Sequence, residues 1–221
     1  MVFEVMKKIV ITIIAIVLLV IITKRKDMTI KQSLLKSFYP ALMQMGKWFG
    51  SGKTNPYNKS GVAPNVSFYS LSANGIDGKE FDFATLKGKK VMIVNTASDC
   101  GYTAQLADLE KLQTQYQNKL VVLAFPSNDF KNQETGENTE IEAFCKKNYG
   151  VSFPIMVKTG VIKGPAQHPV YTWLTDSKKN GWNDKDPEWN FSKYLINEEG
   201  ILMYYFGPGV SPLDEVVTSA L

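Results

Sequence analysis

Residues 91–125 read VMIVNTASDCGYTAQLADLEKLQTQYQNKLVVLAF. Val91-Met92-Ile93-Val94 and Leu120-Val121-Val122-Leu123-Ala124-Phe125 are continuous apolar runs of strand length, as strands buried on both faces require. Between them Leu106, Leu109, Leu112 and Tyr116 recur at helical spacing. The stretch predicts a βαβ unit, whose two strands run parallel with a right-handed crossover. Cys100 follows the first strand, just before the helix. Sites in open α/β sheets gather beyond the carboxyl ends of strands. The unpaired N–H groups and positive end of a helix favour thiolate, the nucleophilic form of cysteine. Asp99 opposes that charge. From placement alone, Cys100 is either a reactive thiol or a small buried hydrophobe. The residue three further on is Thr103, so a Cys-x-x-Cys dithiol is missing, which argues against a thioredoxin-type disulfide reductase.

Outward from this unit the alternation of strands and helices continues. Residues 67–71 and 80–83 flank Asn74-Gly75-Ile76-Asp77-Gly78 and predict a hairpin. A helix is expected from about Thr139, with Thr139 and Glu142 at capping-box spacing and Gly150 as its C-terminal stop. Ile141, Phe144, Cys145 and Tyr149 share one face, where a cysteine is ordinarily core. A short strand follows at Ile155-Met156-Val157, then a helix near 169–176, a hairpin pairing 194–196 with 201–205, and a closing helix from Asp214. The expected class is α/β with a mixed central sheet flanked by helices. His168, the only histidine, precedes Pro169 in a loop and reads as structural; no triad motif makes it the base of a cysteine hydrolase.

Ahead of this body the composition changes. The 221 residues carry a net charge of +4, unevenly placed. Residues 1–64 hold ten bases and two acids, a net +8, and residues 65–221 hold fifteen bases and nineteen acids, a net −4. A nucleic-acid binder would carry its basic stripe on the folded domain, so no nucleic-acid partner is expected. Two cysteines and one histidine exclude a disulfide-stapled scaffold and a zinc finger. Ile9 to Thr23 is uncharged and flanked by Lys7-Lys8 and Lys24-Arg25-Lys26, which predicts a single N-terminal membrane anchor, with a cleaved signal as the alternative. The side of the membrane is open, because the positive-inside rule and the export reading disagree. The organisation expected is therefore an anchor at 1–26, a basic linker at 27–66 and a folded domain at 67–221. Ile30, Leu34, Leu35 and Phe38 predict one amphipathic helix in the linker, ending near Tyr39-Pro40. GSGKT within the linker is not a phosphate-binding loop, since position 47 is Lys and no strand precedes it.

Several segments of the body carry a resemblance. Residues 94–103, VNTASDCGYT, resemble the active-site segment of the glutathione peroxidase family. Leu123-Ala124-Phe125-Pro126-Ser127-Asn128-Asp129-Phe130, with Gln133-Glu134 and Gly136, is similar to the family's second motif, and Trp189-Asn190-Phe191 to its third. Phe144-Cys145, Tyr149-Gly150-Val151, Phe153-Pro154 and His168-Pro169 also fit, and the match runs from about 67 to 215 in the family's order. The resemblance implies a thioredoxin-like fold with Cys100 as the peroxidatic cysteine. It implies Gln133, Trp189 and Asn190 as the rest of a catalytic tetrad and Cys145 as the resolving cysteine. An amide and an indole N–H suit that task, because they stabilise a thiolate without adding a competing charge. The implied enzyme is a thiol peroxidase acting on hydrogen peroxide and organic or lipid hydroperoxides in the response to oxidative stress. Its reductant would be thioredoxin rather than glutathione, and it would need neither cofactor nor metal. The chain departs from the pattern at Ser127, usually Cys, at Asp129, usually Gln, and at Asp99, where a basic residue is frequent. The short stretch from Leu174 to Trp189 implies a monomer. Two other readings compete: a peroxide sensor that relays a disulfide to a partner protein, and an inactive binding module.

Overall fold

A computed structural model describes residues 28–48 and 55–221. In chain order it contains α1 (Ile30–Trp48), β1 (Ser72–Asn74), β2 (Glu80–Asp82), β3 (Lys90–Thr96), α2 (Gln105–Gln115), β4 (Leu120–Pro126) and α3 (Asn138–Tyr149). There follow α4 (Pro169–Leu174), α5 (Ser177–Asn180), β5 (Lys193–Ile196), β6 (Leu202–Phe206) and α6 (Glu215–Thr218). β1 and β2 form a small antiparallel pair, while the central sheet has the order β4-β3-β5-β6. β3 and β4 run parallel, Val91 opposite Val121, as the βαβ reading expects. β5 lies antiparallel to both β3 and β6, so the sheet is mixed.

The apolar runs of β3 and β4 follow from cover on both faces. Along β3, Met92 and Val94 point into one cluster with Leu106, Leu109, Leu112 and Leu195. Val91 and Ile93 point into another with Phe125, Tyr171, Trp173 and Tyr194. All four β3 side chains are fully buried, and each contributes about 1.5–3 kcal/mol of transfer free energy. Both cysteines lie in the first cluster, on the face covered by α2 and α3.

Several local expectations shift. The first hairpin strand begins at Ser72, because Phe68–Ser70 is a 3-10 turn capped by the Ser67 hydroxyl. The first turn of α3 is closed by Glu140, whose carboxylate accepts from the Glu137 N–H at 2.9 Å. Glu142, expected in that role, pairs with Lys146 one turn on. Gly150 stops α3 as expected, with φ of 69° and its N–H turned back to Lys146 O. Ile155 and Met156 make isolated bridges, to Ala124 and Gly75, rather than a strand.

The segment expected as a linker packs on the body over both of its described parts. α1 continues through Pro40 to Trp48 instead of ending at Tyr39. A proline inside a helix removes a hydrogen bond and destabilises it. Here packing offsets the loss: Tyr39 donates to the Asp108 carboxylate at 2.8 Å, and Met28 and Met43 are buried against the body. Further on, Tyr57 bridges Tyr204 at the open edge of β6, with Asn58 N–H donating to Met203 O and Tyr205 N–H to Pro56 O.

The expectation of a membrane-anchored protein is corrected. Among the described residues no helix is long and apolar enough to cross a membrane. The segment that suggested the anchor, 1–26, lies outside the described residues.

Candidate active site

Cys100 sits where β3 hands over to α2, with its residue only 1% exposed. The loop is tied down by Thr103, whose hydroxyl oxygen accepts the Cys100 N–H at 3.0 Å and lies 2.8 Å from the carbonyls of Ala97 and Cys100. The Cys100 Sγ accepts from the Tyr102 N–H at 3.4 Å. The Trp189 and Asn190 side chains also lie against it as donors that lower its pKa. Burial pushes the Cys100 thiol up; the Tyr102 N–H, the indole and the amide pull it down, and the Asp99 charge pushes it up.

Gln133 joins through Asn190. The Asn190 amide donates to Gln133 Oε1 at 3.0 Å, and the Gln133 carbonyl accepts the Asp99 N–H at 3.0 Å. The four residues singled out in the sequence thus form one connected group around the sulfur. Two strained turns present them. Lys131 and Asn132, directly before Gln133, have φ of 52° and 51°, and Phe191, directly after Asn190, has φ of 69°. Such conformations cost of order 1–3 kcal/mol each outside glycine and persist only where the surroundings enforce them.

The enforcing groups at the second turn are Asn95 and Lys193, which the sequence reading missed. The Phe191 N–H donates to Asn95 O at 2.6 Å, the Asn95 amide donates to Trp189 O at 3.1 Å, and the Ser192 N–H donates to Asn95 Oδ1 at 3.1 Å. The Lys193 ammonium reaches Phe191 O at 2.6 Å and Gln105 Oε1 at 2.9 Å. Lys193 is fully buried, and burial brings its pKa down to about 7. The available signal was a charge set between Phe191-Ser192 and the apolar Tyr194-Leu195-Ile196.

Cys145 lies on α3, 3% exposed, in the same apolar cluster as Cys100; both thiols are free. Burial, and then the charge of Glu134, push its thiol up to about 12. Glu134 is itself buried, accepting from the Ser98 hydroxyl at 3.0 Å, and burial raises its carboxyl to about 7. A cavity of about 360 Å³ opens against Asp99, Gln133 and Phe144, with Thr29 and Gln32 on its other wall. His168 caps α4 by accepting the Val170 N–H on Nδ1 at 3.2 Å, and its ring meets Phe125 edge to face. No group of three potential metal ligands occurs among the described residues.

Comparison with known proteins identifies the family and the fold. The family model for glutathione peroxidase matches residues 68–175. The glutathione peroxidase homolog BsaA of Bacillus subtilis is 40% identical over 148 residues, covering 66% of this chain and 92% of that protein. The glutathione peroxidase-like peroxiredoxin gpx1 of Schizosaccharomyces pombe is 46% identical over 134 residues, covering 60% of this chain and 84% of that protein. The crystal structure of Trgpx in its apo form aligns with a TM-score of 0.54 at 31% identity, over 71% of this chain and 95% of that one.

Proposed function

The chain belongs to the glutathione peroxidase family, is a peroxidase with a thioredoxin-like fold, and from that premise we propose that Cys100 is its peroxidatic cysteine and Cys145 its resolving cysteine. The observation that carries this reading is the surroundings of the Cys100 sulfur: the Tyr102 N–H donates to it, the Trp189 and Asn190 side chains lower its pKa, and Gln133 is held on Asn190. Burial alone leaves a thiol protonated, and hydrogen bonds to sulfur offset that cost in the charged form.

The Cys100 thiolate attacks one peroxide oxygen and the O–O bond breaks. The departing oxygen takes a proton and leaves as water or an alcohol, and Cys100 becomes a sulfenic acid. Asn190 Oδ1 is buried without a partner among the described residues, an acceptor suited to orienting the hydroperoxide O–H. The Asn190 and Gln133 amides assist the proton, and the Trp189 indole holds the sulfur. Cys145 then attacks the sulfenic sulfur, an S–S bond forms, and water leaves. An external dithiol returns both cysteines to thiols by exchange. Thioredoxin is the proposed reductant, because a two-thiol cycle ends in a protein disulfide. The substrates are hydrogen peroxide and organic or lipid hydroperoxides, and the role is protection in oxidative stress.

Intact mass and free-thiol count after one equivalent of hydrogen peroxide test the cycle. Loss of both thiols without added oxygen is expected. A stable oxygen adduct on Cys100 with Cys145 still free would remove the resolving role and make glutathione the reductant. No change at either thiol would remove the peroxidatic role of Cys100.

A further inference from the structure

α1 lies ahead of the region matched by the family model, which begins at Phe68. It is nevertheless seated on the nucleophile loop. The Lys31 ammonium pairs with Asp99 Oδ2 at 2.5 Å, the Gln32 amide donates to Ser98 O at 3.2 Å, and Leu42 sits over Gly101, 3.6 Å from where a Cβ would stand. Three further anchors hold the helix in place. Lys36 donates to Asn148 O at 2.9 Å with its ammonium 4.3 Å from the Tyr149 ring centroid. Tyr39 donates to Asp108, and Met28 enters the apolar cluster that contains both cysteines.

Asp99 is the carboxylate next to the reacting sulfur, and its negative charge disfavours a thiolate there. Its Oδ1 is buried without a partner among the described residues, and Oδ2 pairs with Lys31. We propose that α1 is a working part of the peroxidase site, and that Lys31 is a positioning residue that keeps Cys100 reactive by neutralising Asp99. The inference rests on the reading of Cys100 as the attacking thiol.

The exposed ion pair adds little to stability, since Lys31 and Asp99 have side chains 63% and 36% exposed. Its effect on the neighbouring sulfur is separate. A carboxylate on the adjacent residue, its side chain 36% exposed and so partly screened by water, moves the thiol midpoint by roughly half a pH unit. A cation held on that carboxylate cancels most of the field. The other titratable groups at this place are Tyr102 on the same loop, Glu134 behind Ser98, and Cys145 on α3. Glu134 also feels the Asp99 charge, so the effect of Lys31→Gln is compared within each Asp99 background, which removes the contributions common to both.

The experiment uses the full chain as wild type, Lys31→Gln, Asp99→Asn and the double variant, with Lys31→Arg as the conservative rescue. The readout is the pH midpoint of the second-order rate of Cys100 oxidation by hydrogen peroxide. Lys31→Gln raises the midpoint by about half a pH unit and lowers the rate below it about threefold. Lys31→Arg restores the wild-type midpoint. In the Asp99→Asn background, Lys31→Gln has no further effect. A wild-type midpoint in Lys31→Gln, or the same shift with and without Asp99, overturns the proposal. A Cys100→Ser protein that consumes peroxide as fast as wild type overturns instead the reading of Cys100, and the proposal with it.

Discussion

Replacing Ala143 by glycine tests how the two sulfurs meet. Ala143 lies in the middle of α3, two residues before Cys145, and is only partly buried. With the Cys145 thiol pushed up to about 12, its thiolate fraction at pH 7.5 is roughly one in thirty thousand in the folded helix, against about one in ten at an ordinary cysteine pKa. The proposed attack by Cys145 then requires a state in which the end of α3 has opened and Cys145 is solvated. Alanine to glycine inside a helix costs about 0.8–1 kcal/mol, which multiplies the opening constant by about four to five. Disulfide formation should accelerate by that factor, and oxidation of Cys100 should not change. Acid quench at intervals after one equivalent of hydrogen peroxide, read by intact mass, separates the oxygen adduct from the disulfide. A normal first step followed by an unchanged or slower second step would refute attack through an opened helix.

Other substitutions probe the same framework. Trp189→Phe keeps the ring against Phe130 and removes the indole donor. The loss of one hydrogen bond to a charged sulfur, about 1.5–3 kcal/mol, predicts a ten- to hundredfold slower oxidation of Cys100 at pH 7, with the midpoint raised. Gly150→Ala places a Cβ on a left-handed residue with open space around it. It should cost about 1 kcal/mol in urea unfolding and, by loosening the end of α3, speed the disulfide step. Lys193 gives a pH signature. Its folded pKa of about 7 lies below the unfolded value, so between the two the unfolded chain binds the additional proton and stability rises with pH. The slope approaches 1.4 kcal/mol per unit above pH 7. Urea midpoints from pH 7 to 8.5 should show this component in wild type and lose it in Lys193→Met; equal slopes would mean that Lys193 does not titrate there.

The legible parts of the sequence were those where one local pattern had one physical cause. Two apolar runs bracketing a helical stripe required strands covered on both faces, and β3, α2 and β4 follow. Cys100 was visible from its place between strand and helix. The grouping of Gln133, Trp189 and Asn190 around it was not readable from spacing and came through the resemblance, because the contacts join residues 57 apart or more in number. Where packing decided the outcome, local rules failed. Pro40 should have ended α1, but Tyr39 and Met43 hold the helix on the body. Thr139 and Glu142 had the right spacing for a cap, but the helix begins one residue earlier and Glu140 closes the turn. Lys193 went unread beside the apolar run 194–196, because the partners of its ammonium, Gln105 and the carbonyl of the strained Phe191, are set by the tertiary fold.

The strand-like contact of Tyr57 with Tyr204 bears on how the chain tolerates shortening. β6 reads Leu-Met-Tyr-Tyr-Phe and forms one border of the central sheet. The backbone groups of Met203 and Tyr205 that face away from β5 are taken by Asn58 and Pro56. A fragment starting at residue 65, where the family-like region approaches, leaves those groups and a Tyr-Tyr-Phe border open to pairing with another copy. Self-association through that border would then compete with monomeric behaviour, and a start before Asn55 preserves the guard.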